Sequence, residues 1–109
     1  MKHLEDQLQT QVFEYLAIRG IFAYHPKASG KKSIHSAVRD KKLGVKAGVP
    51  DIVIIDKGKH FYIELKAGKG KLSPAQIEFR DYCYEWSIPW ELCRSLDEVI
   101  ETLKGWGVI

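Results

Sequence analysis

The sequence predicts an α/β fold in which a mixed sheet is covered by helices on both faces. Three observations lead to this prediction. An apolar period of 3.6 residues indicates a helix over 4–19, and two apolar runs separated by a short polar turn indicate a β-hairpin over 52–66. Near the end of the chain, two serine-led helix starts enclose a further strand. The chain of 109 residues is predicted to form a single domain over 1–109, with the order helix, strand, strand, strand, helix, strand, helix.

The first helix is predicted to bury one stripe that also contains an acid. Glu5 falls inside the stripe in angle, between two apolar positions. A carboxylate in the first turn is favoured by the helix dipole, which is one explanation. The other is that Glu5 reaches the sheet and joins further acids there. Gly20 is expected to end the helix, and 21–24 to form the first strand. The apolar stripe consists of Leu4, Leu8, Val12, Tyr15 and Leu16.

The hairpin is predicted to lie at the centre of the sheet. Its first strand, 52–55, is apolar on both faces, which is typical of a strand covered on both sides. Gly58 supplies the positive φ that a three- or four-residue loop needs. In the second strand, side chains alternate between the two faces of the sheet. Phe61, Ile63 and Leu65 are predicted to point one way, and Tyr62, Glu64 and Lys66 the other.

Three charged residues stand beside this apolar hairpin. Glu64 and Lys66 are about 7 Å apart on one face of a strand, and Asp51 immediately precedes the first strand. Such charges are costly to desolvate unless they are paired or bind a metal. The common explanation is a structural Glu–Lys pair at the end of a hairpin. The alternative is a site for a divalent cation, and oxygen ligands suit Mg²⁺ or Mn²⁺ better than zinc.

Positive charge is concentrated in one segment. Residues 25–48 contain seven Lys or Arg and one Asp, a charge of +6, whereas the rest of the chain sums to −3. The segment is predicted to contain a loop over 28–33 and a short helix over 34–43. A solvated loop without a partner is one interpretation. The neighbouring acidic hairpin favours a nucleic acid instead. The candidate DNA-binding residues are Lys27, Lys31, Lys32, Arg39, Lys41, Lys42, Lys46, Lys69 and Lys71.

The final third of the chain is predicted to be helix, strand, helix. Ser73-Pro74-Ala75-Gln76 combines an N-cap Ser, a Pro at N1 and a Gln at N3, and the helix is expected to run to about Trp86. Capping alone would explain Gln76. A strand over 88–93 and a helix from a second capping box at 95–98 to near Gly105 follow. The expected core contacts of the first of these helices are Ile77, Tyr82 or Cys83, and Trp86.

Composition excludes several classes of protein. No segment approaches 18 consecutive apolar residues and no apolar signal region is present, so we expect an intracellular protein without a membrane partner. Cys83 and Cys93 are expected to be buried core residues rather than a zinc site or a disulfide. The histidines His25, His35 and His60 are scattered, and we interpret them as surface or packing residues.

Taken together, these motifs resemble a known family. Asp51-x12-Glu64-x-Lys66, preceded by Pro50, resembles the motif of the PD-(D/E)xK nuclease superfamily, whose restriction-endonuclease-like core has the same αβββαβ order. Within that superfamily the chain is similar to the stand-alone VRR-NUC (virus-type replication-repair nuclease) domains. The matching features are Glu5-x2-Leu8-Gln9-x2-Val12-x2-Tyr15-Leu16, Gly48-Val49-Pro50-Asp51, Glu64-Leu65-Lys66 and Leu72-Ser73-Pro74-Ala75-Gln76.

The resemblance implies a role for each matching residue. Asp51 and Glu64 would be metal ligands with the main-chain carbonyl of Leu65, and Glu5 would complete the acidic cluster through water or a second metal. Lys66 would orient or deprotonate the attacking water or stabilise the transition state. Gln76 would support Lys66 or the nucleophile. The implied catalytic residues are therefore Glu5, Asp51, Glu64, Lys66 and Gln76.

The resemblance also implies a function. It predicts a Mg²⁺- or Mn²⁺-dependent DNA endonuclease that cuts branched DNA, as a homodimeric resolvase of four-way (Holliday) junctions in a bacterial or phage-infected cytoplasm. The candidate interface residues are Trp86, Trp90 and Trp106, although the first two also suit a core role. A monomeric flap or splayed-arm nuclease, a catalytically silent DNA-binding module and a purely structural α/β protein are the alternatives.

Overall fold

The computed structural model describes residues 4–26 and 34–109, with only the main chain described at Ile34. The predicted elements are all present, including the short helix, although β1 is shorter than predicted and β4 begins two residues later. The predicted loop over 28–33 lies outside the described residues, and so do the candidate DNA-binding residues Lys27, Lys31 and Lys32. Within the two described ranges, no helix is both long and apolar enough to cross a membrane. In chain order the elements are α1 (Leu4–Ile18), β1 (Ala23–Tyr24), α2 (Ile34–Lys42), β2 (Ile52–Asp56), β3 (Lys59–Leu65), α3 (Pro74–Glu85), β4 (Trp90–Cys93) and α4 (Leu96–Trp106).

The strands form one mixed sheet in the order β1-β2-β3-β4. β2 pairs antiparallel with both β1 and β3, and β4 pairs parallel with β3. β2 and β3 are therefore the central strands, as the sequence predicts. Ile52, Val53 and Ile54 of β2 are all buried, which is why this strand is apolar on both faces.

The turn of the central hairpin differs from the prediction. Asp56 pairs with Lys59, so the loop contains only two residues, and the predicted loop of three or four residues is wrong. Lys57 has φ 51° and Gly58 has φ 81°. Two successive positive φ angles are typical of the type I′ turn, whose twist matches that of the strands that it joins. Lys57 adopts the left-handed conformation here, which is uncommon for a lysine and is not predicted by its residue type.

The main hydrophobic core lies on the face of the sheet that carries α1 and α4. As predicted, the alternation of β3 directs its apolar side chains to this face and its polar ones to the opposite face, where the Tyr62 ring contacts Phe79 of α3 at 5.3 Å between centroids. Trp106 closes the core by packing on Phe61 at 5.2 Å. The buried core residues are Val12, Leu16, Ile52, Ile54, Phe61, Ile63, Leu65, Cys93, Val99 and Leu103.

The buried face of α3 is not the predicted one. Ile77, Tyr82 and Trp86 are exposed, and of the expected contacts only Cys83 is buried. The helix instead turns Gln76 and Cys83 toward the sheet, seven positions apart and hence on one face. The buried face of α3 therefore begins with a polar residue, and for this reason the apolar residues of the helix do not identify its buried face.

The caps of α4 are close to the predicted ones. Ser95 Oγ accepts a hydrogen bond from Glu98 N at 3.1 Å, which is half of a capping box. The Glu98 carboxylate, however, accepts from Arg94 N at 2.7 Å rather than from Ser95. The helix ends at Trp106, followed by Gly107 in the left-handed conformation at φ 77°.

Both cysteines are buried and free of disulfide bonds. Burial raises the pKa of the Cys93 thiol to about 11, and it also raises the pKa of Cys83. Both thiols are therefore protonated at neutral pH and are weak nucleophiles. Their interpretation as packing residues is confirmed.

Candidate functional site

The two acids of the hairpin lie side by side. Ile52 pairs with Ile63, so the antiparallel register places Asp51 opposite Glu64, one position beyond the last pair of the ladder. Residues directly opposite each other in two antiparallel strands point to the same face of a sheet. Leu65 N also donates to Asp51 Oδ2 at 2.8 Å, which holds the Asp51 carboxylate against the end of β3. Both carboxylates are thus at one end of the hairpin and on one face.

Glu64 is buried beneath the start of α3. Its side chain is 1% exposed, and its Oε2 accepts a hydrogen bond from Gln76 Nε2 at 3.1 Å. The other end of the same amide, Gln76 Oε1, accepts from Ser73 N at 2.8 Å. Because the cap of α3 occupies the amide oxygen, the amide NH₂ must face the carboxylate. Gln76 therefore caps the helix, as predicted, and also donates to Glu64; its support of Lys66 or the nucleophile stays a prediction.

Gly48 allows α3 to lie this close to the hairpin. It has φ 80°, and a Cβ added to it would lie 2.3 Å from Ala75 O and 2.9 Å from Gln76 N. No real side chain tolerates such contacts with backbone atoms. The glycine that precedes Val49-Pro50-Asp51 is thus required by backbone packing against the first turn of α3, the turn that carries Gln76.

Pro50 leaves the main-chain carbonyl of Leu65 without its usual donor. The Leu65 N–H points toward β2, where it meets the Asp51 carboxylate. In an antiparallel ladder the residue opposite Leu65 would be Pro50, and the two would exchange both hydrogen bonds. Proline has no N–H, so it cannot donate to the Leu65 carbonyl. This carbonyl is therefore available as an oxygen ligand beside the two carboxylates.

Lys66 lies at the same end of β3. Its main-chain N donates to Cys93 O at 3.2 Å, which extends the pairing with β4 by one residue. Its half-buried side chain follows the alternation of the strand onto the Glu64 face. The approach of its amine to the two acids stays a prediction.

The angular position of Glu5 on α1 does not bury it, contrary to the expectation. It is exposed, and so is Leu4; burial begins only at Leu8, one turn later. The first turn of α1 is too far from the packed core for the angular position of Glu5 to bury it. In residues 4–26 and 34–109, no three His, Cys, Asp or Glu side chains are grouped so as to hold a metal. The role of Glu5 as a further ligand stays a prediction.

His25 is a residue that the sequence analysis missed. Its Nδ1 lies 2.7 Å from the main-chain oxygen of Asp51, although the two residues are 26 positions apart. The contact depends on the register between β1 and β2, which the sequence does not display. His35 and His60 are exposed, in agreement with their interpretation as surface or packing residues.

The candidate DNA-binding residues that the structure describes are all exposed, and two of them, Lys41 and Lys46, line a cavity. This cavity, of about 1040 Å³, lies between α2 and α3. Its wall includes Lys41, Lys46 and Tyr62, and Tyr62 lies two positions before Glu64 on the same face of β3. The wall also carries Asp40 and Glu78, so two lysines and two acids line a cavity that reaches the face of the candidate site. The exposed candidate DNA-binding residues are Arg39, Lys41, Lys42, Lys46, Lys69 and Lys71.

The donor atoms of the site fit a hard divalent cation. Asp51 and Glu64 would supply carboxylate oxygens, and Leu65 would supply a carbonyl oxygen to which Pro50 cannot donate. Mg²⁺ is usually held by one or two carboxylates and completes its octahedron with water and substrate phosphate oxygens. All three of these donors are oxygens, whereas zinc is usually held by cysteine sulfur or histidine nitrogen.

A mixed sheet whose central hairpin presents Pro-Asp and Glu-x-Lys at one end defines a nuclease of the PD-(D/E)xK type. The chain belongs to the VRR-NUC family, since the model of the VRR-NUC domain matches residues 3–97. The family predicted from the motifs is therefore confirmed. Nucleases of this family act on DNA and are generally dependent on a divalent metal.

Two solved structures are similar to this fold. One, described as a VRR-NUC domain protein, superposes with a TM-score of 0.72 at 28% identity, over 93% of this chain and 85% of its own. The other, described as a VRR-NUC domain, has a TM-score of 0.66 at 16% identity, over 93% of this chain and 95% of its own. The second supports the fold alone. A search of curated proteins finds no match.

The packing of Gly48 yields a test with a matched control. Gly44→Ala should destabilise the protein by about 1–3 kcal/mol, because alanine is strained at the φ of 89° that Gly44 has. It should cause no clash, since no atom lies within 4 Å of a Cβ added to Gly44. Gly48→Ala has a similar φ and also clashes with α3, so we expect a further loss of about 1–3 kcal/mol. Urea unfolding followed by circular dichroism measures both. Equal destabilisation by the two variants would contradict the close approach of α3.

Proposed function

We propose that the chain, over 1–109, is a Mg²⁺- or Mn²⁺-dependent endonuclease that hydrolyses phosphodiester bonds in branched DNA, and that it acts on four-way junctions as a homodimer. The observation that supports this proposal most is the placement of Asp51 opposite Glu64, with the Leu65 carbonyl beside them. In this proposal two carboxylate groups and one main-chain carbonyl act together there, and Lys66 is the next residue of the chain. Their arrangement suits one hard cation in contact with a phosphate.

Each residue of the site has a distinct task in this proposal. Asp51, Glu64 and the Leu65 carbonyl hold the metal ion, which when bound lowers the pKa of water and neutralises charge on the phosphate. Gln76 fixes the rotamer of Glu64 by donating to Oε2. Lys66 donates to the attacking water or to the phosphate oxygens, where negative charge increases in the transition state.

The basic residues around the cavity attract the DNA. Lys41 and Lys46 line the cavity, and Arg39 and Lys42 are exposed on α2, the helix that also carries Lys41. Lysine and arginine beside an acidic site compensate for its repulsion of phosphate and raise the association rate. The described residues include no separate base-reading domain, which favours recognition of DNA shape over sequence.

A dimer would place two active sites on one symmetric substrate. A single small domain has one site, whereas resolution of a four-way junction needs two symmetric cuts, and two-fold symmetry is the commonest assembly. Of the three tryptophans considered for the interface, Trp90 is buried and Trp106 packs on Phe61, while Trp86 is 64% exposed. Trp86 is therefore the interface candidate that we retain.

A catalytically silent DNA-binding module is the alternative from another class. Such a module would gain nothing from a carboxylate that is 1% exposed and held by a glutamine. A monomeric flap or splayed-arm nuclease would use the same site on a different substrate. The DNA structure that is cut, together with the oligomeric state, separates these candidates.

The proposal is tested by incubating duplex, flap, splayed-arm and four-way-junction DNA with the protein in Mg²⁺, in Mn²⁺ and in EDTA. We expect metal-dependent cleavage, fastest on the junction, by a protein that sediments as a dimer. Asp51→Asn, Glu64→Gln and Lys66→Ala should each lower the cleavage rate by at least about 100-fold and leave DNA binding intact. The matched control is Asp81→Asn, because Asp81 is exposed and forms an ion pair with Arg80 on α3.

The outcomes separate the parts of the proposal. No cleavage of any structure in either metal would refute the enzymatic activity. Flap cleavage by a monomer would refute the junction-resolving dimer and leave the nuclease. Full activity in one of the three site variants would remove that residue from its assigned task.

The basic residues around the cavity generate a separate expectation about salt. The logarithm of the DNA association constant should fall linearly with the logarithm of salt concentration, by about 0.9 for each phosphate that is contacted. Removing the charge of Lys41 or Lys46 should lower the slope by about 1 each. Fluorescence anisotropy on duplex DNA in Ca²⁺ measures the slope, with Lys104→Ala as a control, since Lys104 lies on α4 beside Glu101. An unchanged slope would show that these lysines do not contact DNA.

A further inference from the structure

His25 lies on the β1 side of the candidate site, whereas β3 lies on the other side of β2. It follows β1 directly, and its half-buried ring places Nδ1 2.7 Å from the main-chain oxygen of Asp51. A carbonyl oxygen can only accept a hydrogen bond. Nδ1 therefore carries a hydrogen in this contact. The imidazole is thus a donor to the main chain of Asp51.

The pairing of β1 with β2 explains why a side chain is needed there. Ile55 N donates to Phe22 O at 3.2 Å, so odd-numbered residues of β2 direct their main-chain groups to β1. Tyr24 pairs with Val53, and the same register continued by two residues places Pro26 opposite Asp51. Proline cannot donate. His25 supplies the hydrogen bond to the Asp51 carbonyl that Pro26 lacks.

Asp51 is consequently held on two sides. On the β3 side its carboxylate accepts from Leu65 N at 2.8 Å, and on the β1 side its carbonyl accepts from His25. Its position lies one residue before β2 begins, where the regular ladder no longer fixes the backbone. Without the imidazole, Asp51 would lose its restraint on the β1 side, and we expect the direction of its carboxylate to be less well defined.

We propose that His25 is a positioning residue, whose Nδ1–H fixes the main chain of Asp51 so that its carboxylate stays aligned with Glu64 for the metal ion. This inference rests on the proposed function, because it takes Asp51 as a metal ligand. Outer-shell partners that orient a ligand commonly contribute 10- to 100-fold to metal affinity. His25 acts on the ligand through its backbone, so we expect an effect at the lower end of that range.

Two substitutions distinguish positioning from simple packing. The amide nitrogen of asparagine occupies the same place along the side chain as Nδ1, whereas that of glutamine occupies the place of Nε2. His25→Asn should therefore keep the hydrogen bond to Asp51, and His25→Gln should lose it although glutamine is closer to histidine in size. His25→Ala removes both the donor and the ring.

The first readout is the binding of Mn²⁺ alone, without DNA, followed by electron paramagnetic resonance of the free ion. We expect His25→Ala and His25→Gln to bind Mn²⁺ about tenfold more weakly than the wild type, and His25→Asn to remain within about threefold. The second readout is cleavage of the preferred DNA. There kcat at limiting Mn²⁺ should follow the same order, with KM for DNA unchanged. Urea unfolding of all three variants verifies that they are folded.

The outcomes that overturn the inference are distinct from those that overturn the proposed function. Suppose that the wild type binds Mn²⁺ and cleaves DNA. If His25→Ala then has the same Mn²⁺ affinity and cleavage rate, only the role of His25 is overturned. Equal behaviour of the asparagine and glutamine variants would do the same, because packing rather than the Nδ1 donor would then be responsible. A wild type that neither binds Mn²⁺ nor cleaves DNA would overturn the proposed function itself.

Discussion

The hydrogen bond between Gln76 and Glu64 is the interaction on which the rest of the site depends. A carboxylate that is 1% exposed is stable only with polar partners that it meets in the fold. Gln76 is a suitable donor because the N-cap of α3 fixes the orientation of its amide. The helix can approach closely enough only because Gly48 has no side chain. The position of the buried acid thus depends on both the helix cap and the glycine.

Missing backbone donors are the second organising feature. In a regular sheet every interior N–H and C=O has a partner in the ladder, and no main-chain atom is left for a ligand. Pro50 cannot donate to the Leu65 carbonyl on the β3 side of the hairpin end, and Pro26 cannot donate to the Asp51 carbonyl on the β1 side. On one side this leaves the Leu65 carbonyl available to a cation, and on the other it makes the imidazole of His25 necessary. The two prolines therefore convert the end of a hairpin into a place where main-chain and side-chain oxygens meet.

Much of this arrangement could be predicted from the sequence, because it is encoded locally. The cap of α3 is contained in four successive residues, and the alternation of β3 places Glu64 and Lys66 on one face. Long-range contacts were not predictable in the same way. The bond from His25 to Asp51 depends on strand register over 26 positions, and the close approach of Gly48 depends on where α3 is packed. The exposure of Glu5 likewise depends on where the core ends beneath α1, which a helical wheel does not contain.

The central claim is that the two acids of the hairpin and one main-chain carbonyl share a single cation. Anomalous diffraction from crystals of the protein grown with Mn²⁺ tests it most directly. The claim predicts a manganese peak in contact with the Asp51 and Glu64 carboxylates and the Leu65 carbonyl oxygen. A peak bound only elsewhere, or one that contacts a single carboxylate while the Leu65 carbonyl turns away, would contradict it.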